Sequence, residues 1–194
     1  MEIMEFKRLD PPTLDQIEKT WMAILKKETH DVIKTYYSQA FGFIKTMGCW
    51  ETFKDCLNKP IYSYIVDKHG EVWAIVQIVQ SKNGSSVWVK MMEIILSPKL
   101  ELSSSEETDL NARVNVFSST LVGIFNLSAG IAKADTIKIY GRTDSFLSFL
   151  KVFHSTFHDV LGRLPLRIPG LEIAIEGQWL VFRRSSSRGT RGGN

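Results

Sequence analysis

The segment from Val87 to Ile131 limits the folds open to this chain more than any other. Val87 to Leu96 reads as a strand. A polar junction follows, and then a long helix from about Asp109 with Thr108 as its N-cap. Leu110, Val114, Phe117, Leu121, Ile124 and Leu127 recur along that helix at spacings of three and four. In the strand, Trp88, Lys90, Met92, Ile94 and Leu96 alternate with Val87, Val89, Met91, Glu93 and Ile95. Apart from Lys90 and Glu93 both sets are apolar, which predicts a central strand. Thr136 to Tyr140 reads as the next strand. A strand, a helical crossover and a strand in this order predict a parallel pair within one sheet.

Upstream, Met4 to Leu9 reads as a short strand stopped by Pro11-Pro12. Thr13 and Gln16 have the form of a capping box for a helix carrying Leu14, Ile17, Trp21, Ile24 and Leu25 on one face and ending at Lys26-Lys27. A second helix starts near Thr29-His30-Asp31 and ends at Gly48, with an apolar face broad enough to predict burial on more than one side. Further helical turns are expected over Trp50 to Leu57. Ile61 to Val66, Glu71 to Gln80 and Val87 to Leu96 then predict an antiparallel meander. Its turns are Asp67 to Gly70 and Ser81 to Ser85, the latter marked by Asn83-Gly84.

Downstream, Thr143 is the expected N-cap of a helix carrying Phe146, Leu147, Phe149, Leu150, Phe153 and Phe157. Leu171 to Ile175 and Gln178 to Phe182 predict a closing hairpin around Glu176-Gly177. The expected organisation is one domain over 1–184 and a disordered Ser/Arg/Gly tail over 185–194, which has no apolar side chain to bury.

A chain of 194 residues, 44% hydrophobic and 23% charged, suits one globular domain. No apolar run approaches the roughly 20 residues of a membrane span. The acidic start Met1-Glu2-Ile3-Met4-Glu5 is unlike a signal peptide, so the expected location is a cytoplasm or a virion, without secretion. Cys49 and Cys56 match no zinc spacing and read as two buried or half-buried thiols of a reducing compartment. The net charge of +3 owes its sign to Arg183, Arg184, Arg188 and Arg191, which lie in a final segment with no acid. The body is therefore not a nucleic-acid surface by charge, and nucleic acid or a protein partner would be contacted through those four arginines.

Glu93 is the candidate general base, since burial in an apolar strand raises a carboxylate's pKa. Its ordinary role would be an ion pair with a Lys or Arg, or a place at a sheet irregularity. His30, His69, His154 and His158 show no triad spacing. His154 and His158, four apart on a helix, lack a third metal ligand, so no metal is expected.

The element order resembles that of the GNAT-type N-acetyltransferases over essentially the whole ordered chain. Ser97-Pro98 is similar to the Pro that ends that family's fourth strand. Phe149-Leu150-Lys151 and Phe157 are similar to its penultimate helix, and Glu176 to Phe182 to its closing strand. The resemblance implies an α/β (α+β) fold with a mixed central sheet, an antiparallel meander, a parallel crossover strand, a C-terminal hairpin and helices on both faces. It also implies acetyl-CoA as the acyl donor.

The family binds the coenzyme's pyrophosphate on a Gly-rich loop that opens the long helix. Here the loop is Leu100-Glu101-Leu102-Ser103-Ser104-Ser105, followed by Glu106, Glu107 and Asp109. It has no glycine, its carboxylates oppose a phosphate, and only the hydroxyls of Ser103, Ser104 and Ser105 remain as cofactor donors. The family's Tyr acid is replaced by Phe149 if Lys151 is the matching Lys, which leaves Tyr140 as the nearest substitute. Thr143 to Phe157 is also similar to a helix of acetyltransferase-like head or internal virion proteins of short-tailed bacteriophages. The expectation is a non-catalytic interaction protein with this fold, a bacteriophage virion component binding other virion proteins or itself, with no cofactor. The alternative is a divergent acetyl-CoA-dependent N-acyltransferase acting on an amine, with Glu93 and Tyr140 as its catalytic pair.

Overall fold

The computed structural model describes residues 4–25, 31–103, 106–161 and 170–184, with the backbone alone for 106–109 and 157–161. The elements run β1 (Glu5–Arg8), α1 (Pro11–Leu25), α2 (Asp31–Met47), β2 (Pro60–Val66), β3 (Val72–Asn83), β4 (Ser86–Leu96), α3 (Pro98–Glu101), α4 (Glu106–Ala129), β5 (Thr136–Tyr140), α5 (Asp144–Leu161), β6 (Leu171–Glu176) and β7 (Trp179–Arg184). The strands form one sheet in the order β1-β2-β3-β4-β5-β7-β6. β4 and β5 are parallel and every other pair is antiparallel. The meander, the parallel crossover strand and the closing hairpin therefore stand as the sequence predicts.

Two apolar layers hold helices to the two faces. On one, Phe117, Leu121, Phe125, Leu150 and Phe153 of α4 and α5 pack on Ile78, Val89, Met91, Ile137, Ile139, Leu180 and Phe182. Phe117 sits edge-on to Phe146, Phe149 and Phe153 with ring centroids 4.9 to 6.1 Å apart. On the other, Leu14, Ile17, Trp21 and Leu25 of α1 and Tyr37, Phe41 and Ile44 of α2 cover Tyr62, Ile75 and Ile95.

Several local expectations are corrected. Pro11-Pro12 opens α1, so Thr13 lies in the first turn and the expected Thr13–Gln16 capping box does not start the helix. Asp10 accepts from the Thr13 amide at 2.8 Å, so Asp10 caps the helix and the prolines fill first-turn positions that need no donor. Ser97-Pro98 starts the single turn α3 by the same logic, with Ser97 Oγ accepting from the Leu100 amide. The long helix begins at Glu106, so Thr108 lies inside it and is not its cap. The β3–β4 turn is centred one residue later than expected. Asn83 pairs with Ser86, and Gly84, at φ 60°, takes the first of the two turn positions. The last hairpin shifts likewise, with Glu176 opposite Trp179 and Gly177 at φ 60°. Thr143 caps α5 as predicted, accepting from the Phe146 amide at 3.2 Å.

The two cysteines are not free thiols. Cys49 and Cys56 are bonded to each other, with Cα atoms 5.7 Å apart. Turns rather than a helix span Trp50 to Leu57. The Cys49 amide donates to Pro60 O at 2.8 Å, and Arg8 donates to Cys49 O and Glu51 O at 3.1 and 2.7 Å. Those contacts draw the two ends of the loop together and seat Phe53 in the core.

Among the described residues, no helix is long and apolar enough to cross a membrane. The expected disordered tail, 185–194, lies outside the described residues.

Candidate active-site cleft

β4 carries a bulge that strict alternation misses. Met91 lies opposite Ile78 and Glu93 opposite Gln77, which leaves Met92 as an extra residue. Beyond it the two faces exchange. Val89 and Met91 share a layer with Ile94 and Leu96, while Ile95 joins the α1–α2 layer. The predicted grouping of Met92, Ile94 and Leu96 with Trp88 and Lys90 therefore fails past Met91. Glu93 is turned toward α2.

The parallel pairing of β4 with β5 runs only from Trp88–Thr136 to Met91–Ile139. The strands then part and leave a cleft. One lobe, about 420 Å³, opens under α2 and is walled by Tyr36, Ala40, Phe43, Ile44, Tyr62 and Ile95. A second lobe, about 300 Å³, runs toward α3 and α5 past Leu96, Glu101, Thr143 and Phe146. Tyr36, Met92, Glu93, Tyr140 and Arg142 line both lobes. The fold thus brings the two sequence-predicted candidates, Glu93 and Tyr140, to one cavity.

Arg142 is the residue that sequence reasoning missed. It follows β5 and pairs with Glu93 across the gap, Nη1 on Oε1. Position alone, two residues beyond a strand that runs parallel to β4, was the available signal. Glu93's side chain is 22% exposed and Arg142's 60%. Tyr140 donates its hydroxyl to Gln178 Oε1 at 2.8 Å and rests on Trp179, centroids 4.8 Å apart. Burial raises the pKa of the Tyr36 and Tyr62 phenols, and the charge of Glu93 adds to the rise in both. Tyr37 is raised chiefly by burial as well, with the charge of Glu101 next.

Of the other predicted positions, those that are described do not line this cleft. Ser103 is exposed, and Ser104 and Ser105 lie outside the described residues. Arg183 and Arg184 are strand residues rather than tail. Arg183 pairs with Glu176, and Arg184 donates to Ser128 Oγ at 3.3 Å. Arg188 and Arg191 lie outside the described residues. A larger hollow of about 650 Å³ is lined by residues of β1 and α4. Its charged groups are already engaged, Lys7 with Glu5 and Arg8 with the 49–51 carbonyls. No cluster of three metal-ligating side chains occurs among the described residues.

The strand order, with one parallel pair that opens into a gap, is the mixed sheet of meander, crossover strand and closing hairpin that the resemblance to the GNAT-type N-acetyltransferases implies. No family model and no curated protein matches the chain. Among solved structures it is similar to the GNAT family N-acetyltransferase YhbS from Escherichia coli, determined in complex with CoA. That likeness has 16% identity, a TM-score of 0.45, and covers 96% of this chain and 84% of that one. It is also similar to a histone acetyltransferase HPA2 and related acetyltransferase from Corynebacterium glutamicum, at 9% identity, TM-score 0.44, and 94% and 96% of the two chains. A third likeness is to the spermidine/spermine N-acetyltransferase SpeG from Vibrio cholerae, at 11% identity, TM-score 0.42, and 93% and 89% of the two chains.

Proposed function

We propose that the cleft transfers an acyl group from a thioester to an amine. The observation that carries this reading is the parting of β4 and β5 after Met91 and Ile139, which leaves Glu93 and Tyr140 on the walls of one cavity. In this reading Glu93 takes a proton from the acceptor ammonium, and the freed nitrogen attacks the acyl carbonyl. Tyr140 turns its hydroxyl from Gln178 and protonates the departing sulfur, and the proton that the attacking nitrogen sheds on forming the amide restores the phenol. Acetyl-CoA would supply the activated acyl group. One observation supports a place for its acyl-bearing arm. The edge of β4 beyond Met91 has no β5 partner, and its backbone groups can meet an amide-bearing chain, except Leu96 O, which Tyr37 occupies. The loop that matches the family's phosphate loop in sequence, Leu100 to Ser105, offers serines and no glycine.

A second reading keeps the fold without the chemistry. Glu93 is already held by Arg142, and α2 exposes Val32, Tyr36, Phe43 and Met47 along one side. Such a chain would bind other proteins, as a virion component or with a second copy of itself, and would need no cofactor. Calorimetry with acetyl-CoA, followed by thiol release in the presence of amines, separates the two. Acyl transfer predicts saturable binding and a rate that falls at least a hundredfold in Glu93→Gln. Absence of heat at millimolar acetyl-CoA would sink acyl transfer and leave the interaction protein.

A further inference from the structure

The Glu93–Arg142 contact is single. Nη1 meets Oε1, while Oε2 of the carboxylate and the remaining guanidinium nitrogens make no bond among the described residues. An open acceptor and an open donor therefore stand side by side in a lobe whose other walls are mainly aromatic and aliphatic. We infer that this lobe binds a zwitterion, an α-amino acid with an apolar or aromatic side chain. The ligand's ammonium meets Glu93 and its carboxylate meets Arg142. With the protein's own pair kept, the four charges alternate in sign around a ring, and neither Glu93 nor Arg142 loses its partner. The side chain enters the space between Tyr36, Phe43, Ile44 and Tyr62, whose volume of about 420 Å³ is of the size that takes small ligands.

The same geometry ranks simpler ligands. A plain amine satisfies the more enclosed Glu93 and draws it from Arg142, which is 60% exposed and retains water. A plain carboxylate competes for Arg142 and leaves Glu93 the poorer. The order is amino acid, then amine, then carboxylate. The inference uses the acyl-transfer reading only for the fate of the bound amine, which would be acylated.

Calorimetry without any acyl donor tests it, using L-phenylalanine, phenethylamine and 3-phenylpropionate. L-phenylalanine should bind at least tenfold more tightly than phenethylamine. Arg142→Gln should erase that advantage while keeping the amine, Arg142→Lys should restore part of it, and Glu93→Gln should lose both ligands. Arg142 lies at the surface, so matched melting curves will show that its variants fold. Equal affinity for amine and amino acid, an advantage that survives Arg142→Gln, or no binding at millimolar ligand would each overturn the inference. Predicted ranking without thioester consumption would keep the zwitterion site and reject acyl transfer. Acylation of amines with no dependence on Arg142 would do the reverse.

Discussion

The Tyr37 hydroxyl donates a 2.6 Å hydrogen bond to the carbonyl of Leu96. It ties the middle of α2 to the last residue of β4, where that strand has left β5. The bond therefore helps hold the α2 side of the cleft against the sheet. The Tyr37 ring is buried against Trp21, centroids 5.7 Å apart.

Tyr37→Phe keeps the ring and removes the donor. It should cost about 1–2 kcal/mol, because Leu96 O loses its partner in a half-buried place. Urea unfolding measures this. Ligand affinity in the cleft should fall further than the loss of stability alone explains, since the α2 wall loses an anchor.

Gly123 of α4 lies directly against Phe6 of β1. A Cβ built on Gly123 would come within 2.1 Å of the Phe6 ring. Gly123→Ala should therefore push β1 off the sheet edge and cost about 1–3 kcal/mol. Phe6→Leu in the same chain should recover part of that loss, a coupling that a double-mutant cycle reads directly.

The Cys49–Cys56 bond closes a short loop that seats Phe53 in the core. Its removal should cost about 2–3 kcal/mol. Dithiothreitol should lower the melting temperature of the wild-type chain and leave the Cys49→Ser/Cys56→Ser chain unchanged. Two thiols titrating in the native, unreduced protein would contradict the bond.

Burial lifts the Tyr37 and Tyr62 phenols above the ordinary value of about 10. Their folded pKa values exceed those of the unfolded chain. The stabilisation they bring is thus complete below about pH 10 and is lost as pH climbs through and past that point. Urea midpoints from pH 8.5 to 11 should fall less steeply in Tyr62→Phe than in wild type. An identical slope would show that the phenol is not held neutral by the fold.

Much of this architecture was legible in the chain. The meander, the crossover helix and the parallel strand Thr136–Tyr140 follow from apolar spacing and turn residues, which act over a few neighbours. Thr143 as a cap and Glu93 as the odd carboxylate of an apolar strand are equally local signals. The Thr13–Gln16 capping-box pattern misled the reading, because Asp10 stands before Pro11 and caps the helix three residues earlier.

What the sequence alone determined was the order of elements and which residues were apolar enough to face a core. Tertiary structure decided where the chemistry lies. The bulge at Met92 depends on how β3 and β4 register across their full length, and it turns Glu93 from one face to the other. The partner of Glu93 is Arg142, 49 positions away, and becomes its neighbour only when the crossover lays β5 beside β4. The cleft itself is a place where pairing stops, and pairing between distant strands is settled by packing on both faces of the sheet. No local pattern of residues encodes that.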